Sequence, residues 1–212
     1  MIDEDQKSVE TFLTKVLLSK KFEGQLLNPN LSEASQIADH QEFVKIYSLF
    51  NSRRLLIRSA KLIYRASENE SSPKVFYNRC NGLVNCLALV KTNNGKLVGG
   101  FSPVPLVHHD QEELGEQDHY EADKTKKSFI FNITNLKSYS LKDSEKAVRY
   151  QKDWPGPCFG VDLQIGKFVT SNIGHSYEGA EGIKIDSLEA KVYLLESAKA
   201  DVKNLEIWQL SF

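Results

Sequence analysis

The sequence lacks the features that mark several large classes of protein. Its 212 residues carry 27 Lys and Arg against 28 Asp and Glu, so there is no cationic excess to displace counterions from phosphates, and we expect no nucleic-acid binding. No apolar run approaches the roughly 18 residues of a membrane-spanning helix. The first ten residues, MIDEDQKSVE, are acidic and polar, whereas a secretory signal begins basic and then turns apolar. These absences predict a cytoplasmic protein, associated at most with an assembly or an organelle.

Cysteine is also scarce. Cys80, Cys86 and Cys158 form an odd set of three, which fits reduced thiols better than a disulfide framework. Cys80 follows Arg79, and a neighbouring cation favours the reactive thiolate, so one hypothesis is a redox-sensing Cys80. The alternative, which we favour, is a small buried residue at a helix end. Cys86 and Cys158 lie in apolar strand contexts and are interpreted as core.

Common catalytic motifs are missing as well. The sequence contains no Gly-rich phosphate loop, no Gly-x-Ser-x-Gly, no His-Glu-x-x-His and no Cys-x-x-Cys. His108, His109 and His119 are residues of a type that binds zinc or copper. We interpret them instead as incidental histidines of an exposed loop, because metal ligands need rigid support. We therefore expect no metal, no cofactor and no enzymatic activity.

The first 60 residues have the apolar spacing of helices. Phe12 and Val16 belong to an apolar stripe with steps of three and four, which is broken at Gly24. This stripe predicts a separate amphipathic helix or extension over residues 1–21. A second helix is predicted from about Ser32 to Asn51, with an apolar face that includes Phe43, Ile46, Tyr47 and Phe50.

From about Leu55 onward, short apolar runs alternate with turn residues. The strongest signal is a hairpin around Asn94-Gly95. A short helix is predicted after Pro73, and an acidic insertion over residues 106–127 is predicted to be a mobile surface loop. Strands are predicted at residues 86–90, 97–101, 128–133, 147–150, 158–165, 191–195 and 205–210. The pattern indicates an α+β protein, with helices first and an antiparallel β-sandwich after them.

Two segments are candidates for binding a partner. Arg53, Arg54 and Arg58 begin a basic run, interleaved with apolar residues, that could dock on an acidic partner or an anionic membrane surface. The stripe around Phe12 and Val16 could bind a partner's groove. The alternatives, which we favour, are a solvated face of a helix or edge strand for the basic run and a helix that lies across the sandwich for the stripe.

Several segments, taken in order, resemble the TLDc domain family, the module of the oxidation-resistance proteins. They read LIYRAS (62–67), FYNRCNG (76–82), NGKLVGGF (94–101), PCFG (157–160) and LEIW (205–208). The ordered set carries the resemblance, which covers about residues 22–212. The positions that we assign to the fold motif are Gly82, Gly95, Gly99, Gly100, Phe101, Phe159, Gly160 and Trp208.

The resemblance implies a TLDc-like antiparallel β-sandwich flanked by helices, preceded by the helical segment. It also implies a non-catalytic protein-interaction module that is linked to oxidative-stress protection and binds the vacuolar-type proton pump. Two alternatives are retained, an architectural accessory subunit of a ciliary, cytoskeletal or organellar complex and a thiol-based redox sensor acting through Cys80. No homo-oligomer is expected.

Overall fold

A computed structural model describes residues 35–68, 72–106, 119–150, 154 and 156–212. The predicted helix over residues 1–21, with Phe12 and Val16, lies outside these ranges, as do His108 and His109. The described residues form three α-helices, which are α1 (His40–Ser52), α2 (Pro73–Cys80) and α3 (Leu188–Val192). They also form eleven strands, which are β1 (Ser59–Arg65), β2 (Cys86–Thr92), β3 (Leu97–Ser102), β4 (His119–Glu121), β5 (Phe129–Asn132), β6 (Lys137–Ser140), β7 (Val148–Tyr150), β8 (Cys158–Phe159), β9 (Leu163–Ile165), β10 (Phe168–Ser171) and β11 (Lys199–Ser211).

The strands build two antiparallel sheets that share the long strand β11. In the first sheet the order is β1-β11-β2-β3-β5-β6, and in the second it is β4-β7-β8-β9-β10-β11. The beginning of β11 pairs with β10, from Lys199 to Asp201, and the rest lies between β1 and β2. This is the predicted α+β sandwich flanked by helices.

The central strands of the first sheet are buried on both faces. Successive residues of β2 point in opposite directions, so that Leu87 and Leu89 pack against α1 while Ala88 and Val90 pack against the second sheet. The layer beneath α1 is aromatic, and Phe50 contacts other rings edge-on with centroids 5.0 Å away. Both faces of strand β2 are therefore covered.

The helix starts follow capping residues. Asp39 caps α1 by accepting the N–H of Glu42, whose side chain in turn accepts the N–H of Asp39. The predicted start at about Ser32 is wrong, because residues 35–39 are not helical. The short helix after Pro73 is confirmed, with Ser72 as its cap.

Three predictions for the part of the chain after β3 need correction. Residues 158–165 form two short strands rather than one, because the chain turns at Gly160, where φ is +54°. Residues 191–195 are not a strand, since Ser187 caps helix α3 just before them. Of the predicted surface loop over 106–127, residues 107–118 lie outside the described ranges, and in the remainder β4 pairs with β7 and Asp123 is 1% exposed.

Candidate interaction surface

The basic run leads into an open edge of the first sheet. Strand β1 pairs with β11 on one side, and no other strand in the described ranges pairs with it. Ala60 lies opposite Leu210 of β11. The N–H of Leu210 points to the other side of β11, where it donates to the carbonyl of Asn85. The pair Ala60–Leu210 is therefore a non-hydrogen-bonded pair, and the backbone N–H and C=O of Ala60 point out to the open edge. We call residues 54–62 the basic edge.

The basic edge carries exposed cations beside an exposed apolar side chain. Arg54, Arg58 and Lys61 are exposed, and among the described residues none of them forms an ion pair. Leu56 is 63% exposed, although large apolar side chains of this domain are mostly buried. Positive charge around an exposed apolar residue is a combination that suits an acidic protein surface.

Arg53 does not belong to this exposed set. It lies at the C-terminal end of α1, where its guanidinium donates to the carbonyl of Leu49 and to the hydroxyl of Ser138. Its central carbon lies 4.2 Å from the ring centroid of Phe129. Burial lowers the pKa of Arg53, with Glu178 acting in the opposite direction. The structure therefore gives Arg53 a role in joining α1 to the first sheet.

The far end of β1 is anchored by a buried ion pair that the sequence reasoning missed. Arg65 Nε donates to Glu206 Oε1 at 2.9 Å, and their side chains are 6% and 0% exposed. Glu206 also accepts from the Ser35 hydroxyl, the Gln36 N–H and the indole N–H of Trp208. This carboxylate therefore ties the segment before α1 to the first sheet. In the sequence, the only sign of this ion pair is the position of Glu206 between the apolar residues of LEIW.

Cys80 lies in the core at the end of α2. It is 0% exposed, and desolvation raises the pKa of its thiol, against a smaller lowering by Arg79. Burial also raises the pKa of Cys86, to about 12. All three cysteines are buried, and none of them takes part in a disulfide. A raised pKa is the opposite of what a reactive thiolate needs, so the geometry gives the redox hypothesis no support.

The fold-motif glycines include two that another backbone or ring closely approaches. A Cβ on Gly99 would lie 2.0 Å from the carbonyl oxygen of Ala88, and one on Gly100 would lie 2.7 Å from the ring of Phe159. Phe101, Phe159 and Trp208 are all buried. The remaining motif glycines have positive φ, namely Gly82, Gly95 and Gly160. These positions act in packing and turns.

A second buried carboxylate, also missed, organises the loop after β10. Asp162 accepts the backbone N–H groups of Gly174, His175 and Ser176 at 2.8–2.9 Å. Burial raises the pKa of Asp162 to about 6, against the lowering by these donors. The His175 ring contacts Asp186 at 3.0 Å on the surface of the same loop.

Metal-binding side chains are not gathered in the described ranges. His119 lies in β4 opposite Tyr150. The described residues include no group of three or more His, Cys, Asp or Glu side chains placed to hold a metal ion. Within the same ranges, no helix is both long enough and apolar enough to cross a bilayer.

Comparison with protein families gives one result that covers most of the chain. The family model described as TLDc domain matches residues 31–211. No curated protein matches the chain.

Proposed function

We propose that this chain, which belongs to the TLDc domain family, is a non-catalytic protein-binding module that docks on the vacuolar-type proton pump in the cytoplasm. TLDc domains are generally protein-interaction modules and are often linked to oxidative-stress resistance. The pump is the partner that the family resemblance implies. A docking role needs an exposed surface and no catalytic site, so the relevant feature of the molecule is the chemistry of its surface.

The basic edge is the observation that carries the proposal. It combines Arg58 and Lys61, both exposed, with Leu56 at 63% exposure. Unpaired cations at a protein surface attract an acidic partner over distance and fix its orientation, and a nearby apolar residue adds contact area on docking.

Native affinity purification of the tagged full chain, followed by mass spectrometry, tests the proposal. We expect pump subunits in stoichiometric amount, and their loss with the double variant Arg58→Glu/Lys61→Glu. The matched control is Lys127→Glu/Lys184→Glu, which makes the same change in net charge at two other exposed lysines without an ion pair in the described ranges. Recovery of pump subunits no higher than with the tag alone would overturn the proposed partner.

The same experiment separates the alternative functions. Stoichiometric recovery of ciliary, cytoskeletal or organellar structural proteins in place of the pump would indicate an architectural subunit. For that outcome, deletion of residues 1–20 asks whether the N-terminal segment is the anchor. If the shortened chain is still incorporated into the complex to the same extent, the N-terminal segment is not the anchor.

The link to oxidative stress is tested in peroxide-treated cells with Cys80→Ser. We expect the variant to protect as well as the wild type, because the thiol is buried and its pKa is raised. Loss of protection, with folding unchanged, would favour the thiol-based function over the binding module.

A further inference from the structure

We propose that the basic edge binds an extended acidic segment of the partner protein as an added β-strand, alongside residues 59–62. This inference deepens the proposed function, on which it rests for the existence of a protein partner, and it holds whether or not that partner is the proton pump. It specifies both the chemistry of the bound segment and its geometry.

The backbone of β1 offers the hydrogen-bonding groups for such a strand. The outward N–H and C=O of Ala60 face the side of β1 where no strand of the described ranges lies. An extended peptide can pair with such groups, as in other complexes formed by strand addition. The register shift between Leu62 and Tyr64 interrupts the regular ladder, so the pairing edge is confined to about four residues, 59–62.

The charges around this edge select the chemistry of the added strand. Arg58 and Lys61 are three positions apart in an extended chain, so they lie on opposite faces of the sheet. A strand laid against β1 would therefore meet a cation on each face, and Arg54 adds a third exposed charge in the loop that leads from α1 to the strand. Acidic residues on both faces of the added segment would pair with these cations across the two strands.

The same charges argue against a second copy of this chain as the bound strand. Pairing β1 with another β1 would bring Arg58 and Lys61 close to the same cations of the other copy. Like charges on directly paired strands are destabilising, and lysine on an edge strand is a common protection against self-association. Acidic side chains on a partner segment would instead attract Arg58 and Lys61, and this attraction would stabilise the pairing.

An apolar contact is available at the start of the edge. Leu56 is 63% exposed, whereas Ala60 and Leu62 are half-buried and pack against the core beneath α1. An acidic segment that carries one aliphatic residue near its end could cover Leu56. The expected ligand is thus an extended peptide rich in Glu or Asp with an aliphatic residue, rather than a folded acidic surface.

Titration of the full chain with a labelled peptide tests the proposal. The probe is a ten-residue peptide of Glu, Val and Thr, with Glu on both faces of the extended chain. Its controls are the same peptide with Lys for Glu and the same peptide with a central Pro. By fluorescence anisotropy we expect saturable binding of the acidic probe with a Kd below about 1 mM, and no saturable binding of either control.

Two variants separate strand addition from simple charge attraction. Arg58→Glu/Lys61→Glu should weaken probe binding at least about tenfold, while Lys127→Glu/Lys184→Glu should leave it within about twofold. Ala60→Pro keeps every charge but removes the outward N–H, at an edge position where proline is tolerated, and should also weaken binding about tenfold. Circular dichroism and thermal unfolding establish that each variant is folded.

Amide hydrogen exchange gives a second readout that does not depend on the variants. Addition of the acidic probe should slow exchange in the peptide that contains residues 59–62. Strand addition is overturned if Ala60→Pro binds the probe like the wild type, if exchange at this edge is unchanged, or if the probe does not bind. It is also overturned if the chain binds phosphatidylserine vesicles through the basic edge but not the peptide, or if β1 pairs with a second copy in solution. Probe binding without recovery of pump subunits would contradict only the partner assigned under Proposed function.

Discussion

Glu206→Gln is the sharpest test of how this domain is held together. The wild-type carboxylate is completely buried and accepts hydrogen bonds from four groups, including Arg65 at 2.9 Å. Glutamine has the same shape, but its amide nitrogen is a donor and would face donors. The substitution therefore removes the buried counter-charge of Arg65 and leaves at least one donor near Glu206 without an acceptor, with almost no change in volume.

The magnitude follows from the burial of the pair. Breaking a buried ion pair by removing one partner destabilises a protein by about 3–5 kcal/mol. Arg65 keeps a second contact, at 2.5 Å to Glu68, whose side chain is 52% exposed. This contact places the expected loss at the lower end, about 3 kcal/mol in the free energy of unfolding. For a domain of this size, that loss lowers Tm by about 6–12 °C.

Urea unfolding of a double-mutant cycle measures the effect. Glu206→Gln, Arg65→Met and the double variant should give a coupling energy of about 1–3 kcal/mol. The control is Lys124→Met, which breaks the surface ion pair with Glu145, where the side chains are 68% and 62% exposed, and it should change stability by less than about 1 kcal/mol. If Glu206→Gln is no more destabilising than Lys124→Met, the buried carboxylate does not anchor the segment before α1.

Three further predictions concern the interior. Gly100→Ala should lower the free energy of unfolding in urea by about 2 kcal/mol, because its Cβ would overlap the Phe159 ring. Adding Phe159→Leu should restore part of that loss, and a double variant whose loss equals the sum of the two single losses would contradict this explanation. Cys80 should react with a thiol reagent only at the rate of global unfolding, and rapid labelling of native protein by mass spectrometry would refute its burial. Burial raises the pKa of Asp162 from 3.8 to about 6, so the folded protein holds the proton of this carboxyl more tightly than the unfolded chain does. The stabilisation that comes from this proton is therefore complete below about pH 4 and is lost as the pH rises through 6. Relative to Asp162→Asn, the wild type should therefore lose about 3 kcal/mol between pH 4 and 7, and a constant difference would contradict the shift.

The parts of the fold that were predictable from the sequence are those that local chemistry determines. The hairpin of β2 and β3 follows from Asn94-Gly95 between apolar runs, and α2 follows from Ser72 and Pro73 at its start. The capping residue of α1, Asp39, was equally visible in the sequence, with Glu42 three positions later. The predicted start at Ser32 overlooked this signal.

Other parts were missed because they depend on partners far along the chain. The apolar run at 191–195 is not one of these, because it reads as a strand only when the local cap at Ser187 is overlooked. Arg53 reads as a surface cation, and only the fold brings the Phe129 ring beneath it. The environment of Asp162 likewise comes from backbone groups more than ten residues later. Spacing within a segment contains no information about such contacts.

Strand β1 shows how one short segment serves both stability and binding. Lys61 lies opposite Gln209 and Arg65 opposite Glu206, so their partners on β11 are three residues apart and lie on opposite faces of the sheet. Without the register shift at Leu62/Tyr64, Lys61 and Arg65 would share one face, because they are four residues apart. The shift turns Arg65 toward Glu206, on the face covered by α1, and leaves Lys61 exposed on the other face. The bulge thus divides β1 into an anchored half and an accessible half, so an added strand at residues 59–62 would leave the buried ion pair intact.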